Sequence, residues 1–171
     1  EIMKNFVLKV CNVNQDWTME KFVENTVEKI SKVEGNVLCG VSGGIDSTVT
    51  ALLIHKAIGN RLACVFVDNG LLRLNEAEEV ENMFRKNFEI NFTKIDEQEQ
   101  FLSRLNGVTD PEEKRKIVGE EFVNIFTKFS KENGPFTWLA QGTLYPDVIE
   151  SGVSKGPASV IKTHHNVGGL P

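Results

Sequence analysis

A chain of 171 residues, 40% of them apolar and 25% charged, has the make-up of a soluble globular domain, which excludes collagen, coiled coil and wholesale disorder. Nineteen Lys and Arg against 24 Asp and Glu leave a net charge of -5; that gives no electrostatic footprint for nucleic acid or an anionic membrane and favours a small ligand. No run approaches the ~18 apolar residues of a membrane span and the first nine residues lack the regions of a signal peptide, so the expected location is cytoplasmic.

In chain order, Met19, Phe22, Val23, Thr26, Val27 and Ile30 recur at helical spacing and predict a helix over about 18–32, stopped by Glu34-Gly35-Asn36. The apolar run 37–41 is too short for a helix and reads as a buried strand. A helix over about 46–58 follows, ending at Gly59, where a left-handed cap is expected. A second strand spans 62–67. Asn75 followed by Glu78 is a capping-box signal for a helix to about residue 87, and 90–95 alternates as a third strand. Asp110-Pro111-Glu112-Glu113 is the strongest helix start in the chain: a capping Asp, proline at the first helical position and acids in the first turn. Ile117, Val118, Phe122, Ile125, Phe126 and Phe129 give that helix its core face. Trp138-Leu139-Ala140 makes a fourth strand, 142–157 is a long loop, and Val160-Ile161 begins a possible fifth strand. The three cysteines, Cys11, Cys39 and Cys64, have no C-x-x-C spacing and read as small buried hydrophobes of a reducing compartment.

Strand and helix alternating with short connections predicts an α/β domain, a doubly wound and mostly parallel sheet whose ligands bind at the carboxyl ends of the strands. At the first such end stands Ser42-Gly43-Gly44-Ile45-Asp46-Ser47-Thr48. Two glycines let the backbone approach an anion, and the following helix presents unpaired N–H groups and its positive dipole end, so the string is a candidate phosphate cradle. It spells neither G-x-x-x-x-G-K-[ST] nor G-x-G-x-x-G, which sets aside the common ATPase and dinucleotide readings. Ser42, Ser47 and Thr48 carry hydroxyl donors; a carboxylate at Asp46 makes sense beside phosphates mainly as a ligand of bridging Mg²⁺. The bland alternative is a tight turn with Asp46 as the helix N-cap.

The loop resembles the pyrophosphate loop of the N-type ATP pyrophosphatases. Four further segments narrow the likeness: Val65-Phe66-Val67-Asp68-Asn69-Gly70-Leu71-Leu72-Arg73; 110–119, with Lys114-Arg115-Lys116; Leu139-Ala140-Gln141-Gly142-Thr143-Leu144-Tyr145-Pro146-Asp147-Val148-Ile149-Glu150-Ser151; and 161–171, with Lys162-Thr163-His164-His165-Asn166. Together they are similar to the ATP pyrophosphatase domain of the glutamine-hydrolysing GMP synthetases. The resemblance implies an adenine nucleotide alpha hydrolase-like fold, ATP and Mg²⁺ as cofactors, and synthesis of GMP from XMP and ammonia through an adenylyl-XMP intermediate. It implies ATP contacts at 42–48, at the main chain of Val67 and at Gly142 and Thr143, with the metal on Asp46. XMP is implied at Arg115, Asp147, Glu150 and Asn166, and a lid carrying Lys162, His164 and His165 joins Asp46 in the chemistry. Adjacent histidines on a straight strand point to opposite faces, so a two-His metal site is not expected. Residues 1–17 resemble the tail of a glutamine amidotransferase domain, the source of ammonia. The expected organisation is therefore 18–171 as an ATP pyrophosphatase domain, truncated before a C-terminal domain through which the family forms homodimers. Another N-type pyrophosphatase, such as NAD synthetase, and a non-catalytic ATP-binding module are the alternatives.

Overall fold

A computed structural model describes residues 1–14 and 17–143 of the chain. Its sheet has four strands, β1 (Val37–Val41), β2 (Leu62–Asp68), β3 (Asn91–Asp96) and β4 (Trp138–Gln141), in the order β3-β2-β1-β4. Every pairing is parallel. The chain winds outward from β1 to β3 and then returns to the other side of β1, so the order reverses between β1 and β4. Such a switch point is where open α/β sheets leave a crevice. Val37, Cys39 and Val41 face one way, Leu38 the other, as the two-residue period of a strand requires.

Helix α2 (Met19–Ser31), helix α3 (Ile45–Ile58) and helix α4 (Glu76–Asn87) contribute to the first face. Its core joins Cys39, Ile54, Leu62, Cys64, Phe66 and Phe84, with Phe84 stacked on Phe92 at 4.9 Å. Helix α5 (Gln98–Leu105) and helix α6 (Pro111–Asn133) cover the second face, where Leu38, Val65, Val67, Phe101, Ile125 and Phe126 meet. A short N-terminal helix, α1 (Ile2–Asn5), runs into a π-helical stretch at Phe6–Val10; neither contains a buried residue.

The cap predicted at Asp110 forms, and the structure adds one at Thr18. Thr18 Oγ1 accepts from Lys21 N–H at 3.2 Å, and Asp110 Oδ2 accepts from Glu113 N–H at 2.8 Å. The capping box at Asn75 does not form, because Asn75 takes the left-handed conformation (φ 63°) rather than the extended one a cap side chain needs; Glu76 accepts instead from Arg73 N–H at 2.8 Å. Gly59 has a positive φ of 57° with ψ of -127°, which lies outside the left-handed helical region. Cys39 and Cys64 are fully buried and face each other in register across β1 and β2, whereas Cys11 is exposed. The predicted strand at Val160-Ile161 and the loop beyond Thr143 lie outside the described residues. Among the described residues no helix is long and apolar enough to cross a membrane.

Candidate functional site

β1 ends at Val41 and α3 begins at Ile45, leaving Ser42, Gly43 and Gly44 to make the turn. Gly43 sits at φ +80°, and a Cβ there would stand 2.3 Å from Val80 Cγ2 of α4, so the position demands glycine twice over. The helix N-cap is Gly44, which has no side chain to offer. Asp46 therefore lies inside the first turn, exposed, and does not serve as the cap.

The buried side chain of Ser47 braces the loop. Its Oγ accepts from Ser42 N–H at 3.1 Å, donates to Gly44 O at 3.1 Å and lies 3.2 Å from Ser42 Oγ. Thr48 Oγ1 also donates to Gly44 O, at 2.8 Å, alongside the first helical bond from Thr48 N–H at 3.1 Å. The Thr48 hydroxyl is thus committed to its own helix. What stands at the exposed start of the helix are the first-turn N–H groups of Ile45 and Asp46, which have no acceptor within the helix and lie at the positive end of its dipole; Ser47 N–H is covered by Gly142.

The carboxyl end of β4 closes on the same loop. A Cβ on Gly142 would lie 2.7 Å from Ser47 N and 3.0 Å from the Asp46 carbonyl carbon, so only a bare backbone fits between β4 and the start of α3. Ser42, Gly142 and Thr143 consequently share one edge of the sheet, as the sequence reading requires.

Beside the loop, on the α6 side, lies a cavity of about 370 Å³. Val65, Val67 and Gly40 form its sheet wall, and Val118, Gly119 and Phe122 its helical wall. Ser42, Ser47, Asn69 and Gln141 bring polar groups to it. An apolar slot of this size with a few polar groups at its rim is the usual form of a small-molecule site. The strand after the cavity is held by its own turn: Asp68, buried at the end of β2, accepts from Gly70 N–H at 3.1 Å and from Gln98 Nε2 at 3.3 Å, and Asn69 Oδ1 accepts from Leu71 N–H at 2.9 Å.

Arg115 stands apart from this cavity. Together with Lys114, Leu71, Leu102 and Leu105 it lines a second one of about 390 Å³, which shares only Val118 with the first. Its guanidinium is held by Glu112, at 2.6 Å from Nη2 and 3.1 Å from Nε. The partner was visible in the sequence as an acid three residues earlier on one helix.

Helix α5, which the sequence reading passed over, is fastened to α6 by a charged cluster. Glu121 is 1% exposed and accepts from Arg104, from Gln100 at 2.7 Å and from Asn124 at 3.4 Å; Arg104 also reaches Glu120 at 3.1 Å. Burial pushes the Glu121 carboxyl up, but Arg104, Gln100 and Asn124 outweigh it and hold the group below the ordinary carboxylate value.

Asp46 is the one sequence-predicted metal ligand. A single exposed carboxylate next to a phosphate cradle fits Mg²⁺, which takes one or two carboxylates together with phosphate oxygens and water. Among the described residues no group of three or more His, Cys, Asp or Glu comes together. Asp147, Glu150, Lys162, His164, His165 and Asn166 lie outside the described residues.

The chain is 55% identical over 172 residues to the glutamine-hydrolysing GMP synthase of Nitratidesulfovibrio vulgaris (strain DP4), covering 99% of this chain and 33% of the relative. It is 54% identical over 173 residues to that of Alkaliphilus metalliredigens, covering 100% and 34%. The chain thus spans about a third of the length of the curated relatives it matches. In structure it resembles the NH3-dependent NAD synthetase of Campylobacter jejuni with a TM-score of 0.58 at 16% identity, over 79% of this chain and 72% of that one, a likeness of fold. The family model described as NAD synthase matches residues 17–124, the stretch that holds the cradle, the cavity and most of its walls, and the chain belongs to that family, the N-type ATP pyrophosphatases.

Proposed function

We propose that this chain is the ATP pyrophosphatase part of a glutamine-hydrolysing GMP synthase. The observation that supports it most directly is that Ser42 and Ser47 belong both to the anion cradle and to the wall of the apolar cavity, so one nucleotide can lay its phosphates on the α3 N-terminus and its base against Val67. In the reaction, O2 of XMP attacks the α-phosphorus of ATP, the bond to pyrophosphate breaks, and adenylyl-XMP results. Ammonia then adds at C2 and AMP leaves with the former O2, giving GMP. The activation is needed because a carbonyl oxygen is a poor leaving group and AMP a good one. The work of the chain is positioning and charge stabilisation. The first-turn N–H groups of α3 hold the departing pyrophosphate, and Asp46 would hold Mg²⁺, whose charge supports the same group. Arg115, released from Glu112, suits the XMP phosphate as a planar double donor. Asp147, Glu150 and Asn166 complete the substrate side, and Lys162 with His164 and His165 acts on the developing charge from a lid. Ammonia comes from a glutamine amidotransferase unit, and the working protein is a cytoplasmic homodimer.

The test is pyrophosphate release from ATP with XMP, in a protein of the full length of its relatives. Asp46→Asn should weaken Mg²⁺-dependent ATP binding, and Lys162→Ala should slow release with ATP affinity nearly intact, the mark of a contact made mainly in the transition state. The family model's own description favours one rival, NAD synthesis. Release driven by the acid that ammonia would convert to NAD, and not by XMP, would establish it in place of GMP synthesis.

A further inference from the structure

Among the described residues two buried side-chain polar atoms have no hydrogen-bond partner: His55 Nδ1, in the last turn of α3, and Gln141 Oε1. Gln141 alone of the two lines the cavity. A buried acceptor without a donor is costly, and native proteins that keep one usually have a use for it. Gln141 is the last residue of β4 and pairs in register with Gly40, while the next residue, Gly142, rests on Ser47 N. The carboxamide is therefore anchored beside the cradle end of the cavity, and Val67 is two strands away and further along the sheet.

Resting on the nucleotide reading above, we infer that Gln141 is a specificity-determining residue whose carboxamide oxygen accepts a hydrogen bond from a ribose hydroxyl of the bound nucleotide. The unmet need is for a donor. Ionised phosphate oxygens are acceptors only and cannot supply one, and the amino group of the base lies toward Val67, at the far end of the slot. Between base and phosphates a nucleotide carries only its sugar, whose 2′ and 3′ hydroxyls both donate. Rotation about the last side-chain bond of glutamine, a soft torsion, turns the oxygen to the ligand without moving β4.

The experiment measures binding of ATP, 2′-deoxyATP and 3′-deoxyATP to the full chain and to Gln141→Leu, with circular dichroism to check that the variant is folded. The wild type should bind one of the two deoxy analogues about tenfold more weakly than ATP, since that analogue leaves the acceptor unpaired. The gap should close in Gln141→Leu. Equal binding of all three nucleotides by the wild type overturns the assignment with no variant needed. So does a discrimination that survives in Gln141→Leu, or a loss in that variant equal for all three nucleotides, which would place the carboxamide on a phosphate or the base. A wild type that binds none of them instead removes the nucleotide reading itself, and this assignment with it.

Discussion

The two faces of the sheet are built from alternate residues of the same strands, yet they are filled differently. Toward α3 and α4 twelve buried residues close into a core in which Phe84 is in ring contact with both Phe88 and Phe92. Toward α5 and α6 eight buried residues leave the 370 Å³ slot open at the carboxyl edge, and the helices are joined by the charged cluster at Glu121. The cause lies in a few positions. Gly40 gives β1 no side chain on that face, and the tip of Phe126 takes its place, where a Cβ would come within 2.9 Å of Cζ. Gly119 thins the helical wall. One face is packed shut and the other has room for a ligand.

The sharpest way to break this contrast is to truncate a ring on each side. Phe84→Ala should destabilise the protein by about 4 kcal/mol in urea unfolding, because Phe84 is fully buried and touches two other rings. Phe122→Ala, at the half-open cavity wall, should cost about 1–2 kcal/mol. Equal losses would mean that the two faces carry the same load.

Glu121→Gln comes next, at about 2 kcal/mol, since it removes the charge that Arg104, Gln100 and Asn124 are arranged to meet. The pH dependence has a definite sign. A carboxyl held below its ordinary value of 4.5 in the fold contributes stability that is present above about pH 4.5 and is lost as the pH falls through its lower folded value. Denaturation followed between pH 6 and 3 should therefore show an acid-side loss that is smaller in Glu121→Gln than in the wild type.

Gly142→Ala should leave unfolding within about 1–2 kcal/mol of the wild type while pushing β4 off Ser47, and ATP affinity should drop about tenfold. A normal affinity would show that the backbone contact does not shape the cradle. The smallest effect belongs to the outer surface of the filled face. Lys32→Ala breaks an ion pair with Glu28 whose two side chains are both about two-thirds exposed, and should change stability by less than about 0.5 kcal/mol.

Much of this was legible from residues alone. The strands announced themselves as apolar runs, and Asp110 capped its helix because its side chain sits where an extended backbone aims it at the first-turn N–H groups. The tight turn from β1 into α3 was legible because two glycines after an apolar run end a strand and allow a sharp turn. Asn75 misled, since its left-handed backbone depends on the turn before it. Helix α5 escaped because an eight-residue helix gives a weak period, and its place depends on Gln98 meeting Asp68 and Arg104 meeting Glu121 across the fold. Phe122 and Val118 read as core and are also cavity wall, a distinction set by what stands opposite them. Gln141 stood in a segment of the resemblance with no role of its own; its unpaired oxygen singles it out.

The pairing of Cys39 with Cys64 makes the molecule its own unfolding clock. Hydrogen bonding with Cys39, burial and the neighbouring sulfur all push the Cys64 thiol up, and both side chains are closed to solvent, so an alkylating reagent reaches neither while the sheet is intact. Cys11, outside the packed elements, is open to the same reagent. Native protein therefore takes one label quickly, and the second and third arrive only at the rate at which β1 and β2 separate, so mass counting of labels times the opening of the central strand pair.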